Sequence, residues 1–188
     1  MPSSGSTRSR SPERAIPLYL WFADEDHPKA CTGRRLLRAG LVEAVSVGRT
    51  PPEGILLDPH AALPLSTADR SQSRAGLAAV DCSWNRLGER GRYPSGPLDR
   101  IPATRRRRLP WLLAGNPHHF GRVGELNTAE ALAAALTVLG SEPPARELLH
   151  RIGSGDSFFQ LNAERLRAYA SAAGAEGVRA AELRFFGP

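Results

Sequence analysis

The chain has 188 residues, 41% hydrophobic and 23% charged, the balance of a globular protein of one domain or two small ones. No apolar run reaches the length of a membrane span, the Ser/Arg-rich start lacks a signal-like apolar stretch, and two cysteines argue against a secreted disulfide scaffold, so a cytoplasmic location is expected. A net charge of +6 and a pI near 10.3 point to a polyanionic partner, but Lys29 is the only lysine, and a general arginine bias can arise from a GC-rich genome. The position of the charge therefore matters more than its total.

Residues 1–15 mix Ser, Arg, Pro and Gly without periodicity and read as a disordered basic tail. Ile16 to Phe22 is a short apolar and aromatic run that suits a buried strand, and an acidic, turn-like patch follows at 24–28. Thr32 to Leu41 predicts a helix with Thr32 near its N-cap and Gly40 close to its end. Strands are expected at 54–57 and 76–82, separated by a helix start capped by Ser66 or Thr67. Strands alternating with helical segments predict an α/β architecture with a parallel sheet. Beyond Pro102, apolar residues recur at helical spacing in 107–114, 128–138, 144–152, 157–172 and 176–186. The expected organisation is an α/β N-terminal domain over 16–102 and an all-helical C-terminal domain over 103–188, with 90–101 as linker.

Four segments could carry chemistry. In Ala79 to Asn85 an apolar strand ends in an acid, a thiol, a hydroxyl, an indole and an amide, where parallel sheets place ligands. Asp81 could orient a ligand or take a proton and Trp84 could stack on a base; equally, Asp81 could cap a turn and Trp84 pack. His27 to Arg35 leads from a strand-end loop into a helix N-terminus, with Thr32 as a hydroxyl and Lys29, Arg34 and Arg35 as charges. Arg105 to Arg108, ahead of an apolar Leu-Pro-Trp segment, suits RNA phosphates as well as a solvated face. Asn116 to Glu130 reads as a loop running into a capped helix, with Glu130 in a capping-box role and His118 and His119 facing the surface or an RNA. The adjacent histidines cannot easily face one metal, and no metal site is expected.

Taken in order, PKACTGRRLLRAGLV, LSTADR, GLAAVDCSWN, RRLPWLLAGNP and FGRVGELNTAEALAAAL resemble the small-subunit rRNA aminocarboxypropyltransferase family. The resemblance covers residues 17–140, and the helical tail through SGDSFFQLNAERL is similar too. It implies a SPOUT-like fold with a deep trefoil knot and S-adenosylmethionine bound between the two domains. The implied reaction transfers the 3-amino-3-carboxypropyl group to N3 of N1-methylpseudouridine in small-subunit rRNA, with release of methylthioadenosine. By motif position the cofactor contacts fall on Thr32, Ala78, Leu109, Gly124 and Thr128, mostly backbone or apolar at Ala78, Leu109 and Gly124. Asp81 is the candidate for orienting the amino group or acting as base, and Trp84 for shaping the pocket wall. Lys29, Arg34, Arg35, Arg105 and Arg107 are candidate RNA contacts, on a protein expected to be a monomer. The chain departs from the family's usual NPVNYGRP, which reads NPHHFGRV here, and has Gly124 where a larger residue is common. The competing readings are a SPOUT-type RNA methyltransferase and a non-catalytic RNA-binding ribosome-assembly factor. The segment around Cys31 is also similar to the metal-binding segment of certain ribosome-recycling ATPases, but two cysteines far apart argue against a metal module.

Overall fold

The computed structural model describes residues 15–22, 31–45, 53–81 and 101–187. The expected basic tail, most of the linker, Lys29 and Trp84 lie outside the described residues.

Five parallel strands form one sheet in the order β2-β1-β4-β3-β5. They are β1 (Leu18–Phe22), β2 (Glu43–Val45), β3 (Ile55–Leu57), β4 (Leu77–Asp81) and β5 (Arg106–Arg107). The apolar run at 16–22 gives β1, which pairs along its whole length with β4, Leu18 facing Leu77 and Phe22 facing Asp81. Side chains alternate across the sheet. Leu20, Ile55, Leu57, Leu77 and Ala79 join the main core, whereas Trp21, Leu56, Ala78 and Ile101 form a second cluster. Helix α1 (Thr32–Arg38) starts one residue later than its capping residue: Cys31, not Thr32, is the N-cap, its sulfur accepting from the Arg34 N–H. A 3-10 turn at Thr67–Asp69, capped by Ser66 as expected, leads into the short α2 (Arg70–Ser73).

The second half is built around α3 (Thr128–Val138). Asn127 and Glu130 form a capping box at its start, and the helix is apolar on nearly every side, the mark of a core helix. Its alanines allow close approach of β4 and α1 on one side and of α4 (Glu142–Arg151) and α6 (Ala163–Ser171) on the other. Leu132 and Leu136 join sheet residues Leu20 and Leu77 in one hydrophobic cluster, so the apolar core runs across position 102 without a break. Among the described residues no helix is long and apolar enough to cross a membrane.

Two helical expectations are corrected. The spacing in 107–114 does not produce a helix. Arg106 and Arg107 form β5 against β3, and the chain then runs extended through Pro110 to Asn116, with Leu113 bridging antiparallel to Val123. The expected all-helical second half thus contributes an edge strand. The run at 157–172 is two helices, α5 (Ser157–Leu161) and α6, broken at Asn162. Asn162 is fully buried; its Oδ1 accepts from the Leu113 N–H at 2.9 Å and its Nδ2 donates to the Leu113 carbonyl at 2.8 Å. The amide thus imitates a strand neighbour for the extended segment.

The four consecutive arginines are half-buried, and three of them face acids. Arg106 faces Asp58 at 3.5 Å, Arg107 donates to Asp69 at 2.9 Å, and Arg108 pairs with both oxygens of Glu182 at 2.6 and 2.8 Å. Glu182 lies on the last helix, α7 (Gly174–Phe186), and also accepts the Trp111 N–H at 2.9 Å. Breaking a buried pair from one side leaves the other charge uncompensated. Glu182→Ala should therefore cost about 3 kcal/mol in urea unfolding, whereas Glu176→Gln, which removes an exposed pair with Arg179, should change stability by less than about 0.5 kcal/mol.

Candidate active site

Asp81 ends β4 and stands where two helices begin. Its Oδ2 accepts from the Cys31 thiol at 2.6 Å, and its Oδ1 accepts from the Thr128 hydroxyl. Cys31 caps α1 and Thr128 is the first residue of α3, so one buried carboxylate joins a strand end to two helix starts. Gly33 makes room for it: a Cβ there would lie 2.6 Å from the Asp81 carboxyl carbon. Burial and the hydrogen bond to Asp81 push the Cys31 thiol up from 9.0 to about 11, so it keeps its proton at neutral pH and acts as donor rather than nucleophile.

Two cavities open at this junction. One, of about 520 Å³, is polar and is lined among others by Cys31, Thr32, Asp81, Asn116, His119 and Glu130. The other, of about 350 Å³, has a more apolar wall from Leu57, Leu109, Pro110, Trp111, Leu126 and Ala131, with the buried Asp58 at its edge. Glu125 and Thr128 belong to both walls. Both volumes lie within the range of small-molecule sites.

The loop between the cavities is braced from α3. Glu130 is buried, its Oε1 accepting from the Gly115 N–H and its Oε2 from the Asn116 side chain at 2.8 Å and the Asn127 N–H at 2.9 Å. Asn116 in turn accepts from the His119 N–H through its side-chain oxygen. The His119 ring pairs through Nδ1 with Glu125, which also faces Arg122 at 3.4 Å. The imidazole, foremost, and the guanidinium hold the Glu125 carboxyl below the usual carboxylate range. Gly124, with φ of +77°, adopts a left-handed conformation that suits glycine, and a Cβ there would meet open space. Glycine in place of a larger residue therefore widens the cavity mouth.

The residues expected at the site are only partly brought together. Thr32, Asp81 and Thr128 line the polar cavity, while Leu109, Gly124 and again Thr128 line the more apolar one. Ala78 lines neither and packs in the cluster with Trp21, Leu56 and Ile101, while Ala79 and Val80, nearer the end of β4, line the more apolar cavity. Arg35 reaches the polar cavity and Arg34 stands over the Phe22 ring at 5.6 Å. The Arg107 guanidinium bridges Asp69 and the Thr104 and Arg106 carbonyls. Arg105 is likewise half-buried and donates to the Gly54 carbonyl at 3.0 Å. Reading the sequence did not single out Asp58, Asn116 or Glu125. A signal was available for Asn116 in its Asn-Pro turn, but the partners of the other two lie across the fold.

A parallel α/β sheet whose strand ends meet two adjoining cavities is the usual setting of a small-molecule site. The family described as "Ribosome biogenesis protein, C-terminal" matches residues 55–186. The 16S rRNA aminocarboxypropyltransferase of Methanopyrus kandleri is 46% identical over 168 residues, covering 88% of this chain and 96% of the relative. The enzyme of that name from Methanosarcina mazei is 41% identical over 165 residues, covering 87% and 91%. The 18S rRNA aminocarboxypropyltransferase of Schizosaccharomyces pombe is 36% identical over 171 residues; these cover 90% of this chain but 57% of that larger protein. A solved structure, the SAM-dependent rRNA:acp-transferase Tsr3 from Vulcanisaeta distributa, superposes with a TM-score of 0.74 at 31% identity, covering 92% of this chain and 99% of that one. The chain belongs to the 16S/18S rRNA aminocarboxypropyltransferase family.

Residues 16–50 also match a possible Fer4-like domain of RNase L inhibitor. The donor set does not fit an iron–sulfur cluster, which takes four thiolates, because the whole chain has two cysteines and the Cys31 sulfur is hydrogen-bonded to Asp81. Among the described residues no group of three or more His, Cys, Asp or Glu is placed to hold a metal.

The Cys31 thiol links stability to alkaline pH. Below pH 9 the thiol is protonated in both folded and unfolded chains, so its contribution is fully present. Between 9 and about 11 the unfolded chain loses the proton that the fold retains, and stability falls by about 2–3 kcal/mol. Urea unfolding at pH 8 and pH 11 should show this loss in wild type and a smaller one in Cys31→Ser, where the hydroxyl still donates to Asp81 without titrating.

Proposed function

We propose that the chain transfers the 3-amino-3-carboxypropyl group of S-adenosylmethionine to N3 of an N1-methylpseudouridine in small-subunit rRNA. The observation that carries this reading is the pair of cavities meeting at Thr128 and Glu125, one apolar and one polar, with the family's cofactor positions Leu109, Gly124 and Thr128 on the apolar wall. The residues fit the substrate. Leu57, Leu109, Leu126 and Ala131 offer an apolar enclosure for a purine, and the carboxylate of Asp58 stands at its edge for a hydroxyl or a cation. S-adenosylmethionine supplies an alkyl carbon made electrophilic by its sulfonium.

The chain's own residues position and desolvate. Thr32 presents a hydroxyl in the polar cavity to the carboxylate of the transferred group, and Asp81 beside it presents its oxygens to the amino group. Thr128 donates its own proton to Asp81, which leaves its oxygen lone pairs toward the cavities. Trp84 is assigned to the pocket wall by its place in the VDCSWN motif. Lys29, Arg34 and Arg35, close in sequence to Cys31 and Thr32 of the polar cavity, serve as phosphate contacts. Placing donor carbon and acceptor nitrogen in line is the main catalytic contribution expected of such a site. The SPOUT-like deep knot belongs to the same proposal and rests on the resemblance to the family. A cytoplasmic location and action as a monomer are part of the proposal as well.

The test is incubation with carboxyl-labelled S-adenosylmethionine and small-subunit rRNA. Label should enter the RNA with release of methylthioadenosine. Unlabelled RNA with S-adenosylhomocysteine as product would show a methyltransferase instead. Asp81→Ala should lower transfer by at least about 100-fold, a loss of roughly 3 kcal/mol in transition-state stabilisation, measured at saturating substrate.

A further inference from the structure

If the chain carries out the proposed transfer, a proton must leave the imide N3 of the target base, and the polar cavity requires a proton acceptor; the assignment of that acceptor rests on the transfer reading. Of the acidic groups on the cavity wall, Asp81 and Glu130 are already engaged, and the proposed reading gives the remaining lone pairs of Asp81 to the amino group of the transferred chain. Each oxygen of Asp81 already accepts a hydrogen bond, from Cys31 and from Thr128. Glu130 accepts three, from Gly115, Asn116 and Asn127. Cys31 holds its proton and donates it to Asp81.

His119 is differently placed. It lines the polar cavity with its side chain 29% exposed, enough for contact with an incoming base. Its backbone is fixed by the Asn116 turn, and Asn116 is fixed by Glu130 on α3. Glu125 pairs with its Nδ1 and belongs to the walls of both cavities, the boundary at which donor carbon and acceptor nitrogen must meet. We propose that His119 is the general base of this chain and Glu125 its positioning partner, which holds the proton on Nδ1 and leaves Nε2 to accept. The other charged or titratable groups near the pair are Arg122 beside Glu125, the neighbouring His118, and Arg35, Asp81 and Glu130 on the same cavity wall. The lowered Glu125 carboxyl agrees with a carboxylate that stays ionised to orient the ring and to balance the imidazolium.

The step balances. The N3 proton passes to Nε2 and the N3 electron pair forms the new bond to the γ-carbon. The bond from that carbon to sulfur breaks with its pair on sulfur, giving a neutral thioether. The imidazolium then releases its proton to water.

The experiment compares full-length wild type, His119→Asn, His119→Gly, Glu125→Gln and His118→Asn in label transfer across pH, with S-adenosylmethionine affinity measured by calorimetry. Wild type should show a one-proton acidic limb in kcat, retained in His118→Asn. His119→Asn should lose the limb and about 100-fold or more in kcat, with affinity for S-adenosylmethionine unchanged within about twofold. Added imidazole should restore part of the rate of His119→Gly, and Glu125→Gln should be slowed by about tenfold. Full kcat with an intact acidic limb in His119→Asn would overturn the assignment and leave the transfer reading standing. Loss of affinity without rescue by imidazole would also overturn it, by making His119 structural. No transfer by wild type would overturn both readings.

Discussion

The structure depends on one buried carboxylate. Asp81 closes β4, takes a hydrogen bond from the cap of α1 and another from the first side chain of α3, and fills the space that Gly33 leaves open. A lone carboxylate in that position would be costly to bury, and its two donors offset the lost hydration. The donors are themselves the starting residues of the elements that form the cleft. Removing the charge would therefore loosen the cavity walls as well as change their chemistry, and the strand-end position common to ligand sites in parallel sheets is here also the fold's main joint.

The arginine run shows how misleading linear charge can be. Arg106, Arg107 and Arg108 read as a basic surface, yet each faces an acid, Asp58, Asp69 and Glu182, from three separate parts of the chain. These pairs fasten an edge strand and the Leu-Pro-Trp segment to the rest of the molecule. They are weak grounds for claiming high stability, since buried ion pairs roughly cancel their desolvation, but they specify where the segment lies. The basic groups left near the polar cavity come from α1, chiefly Arg35. Among the described residues, arginine thus reaches the polar cavity from the first helix rather than from the densest cluster of positive charge.

The features legible in the sequence were local. The apolar run of β1, the Ser66 cap and the Asn127–Glu130 capping box all depend on neighbours within a few residues, and all were found where expected. The motif resemblance located Leu109, Gly124 and Thr128 on one cavity, and Thr32, Asp81 and Thr128 on the other. The features that escaped depend on distant partners. Two arginines carry no strand signal, and β5 exists because β3 offers an open edge and Asp69 a counter-charge. The break at Asn162 is dictated by the backbone of Leu113, and no periodicity within 157–172 reports it.

Glu182 accepts both the Arg108 guanidinium and the Trp111 N–H, although it is separated from them by more than seventy residues of sequence. Both Arg108 and Trp111 belong to the wall of the apolar cavity. The wall of the cavity is therefore anchored from α7, and a change on that helix reaches the site without touching a ligand.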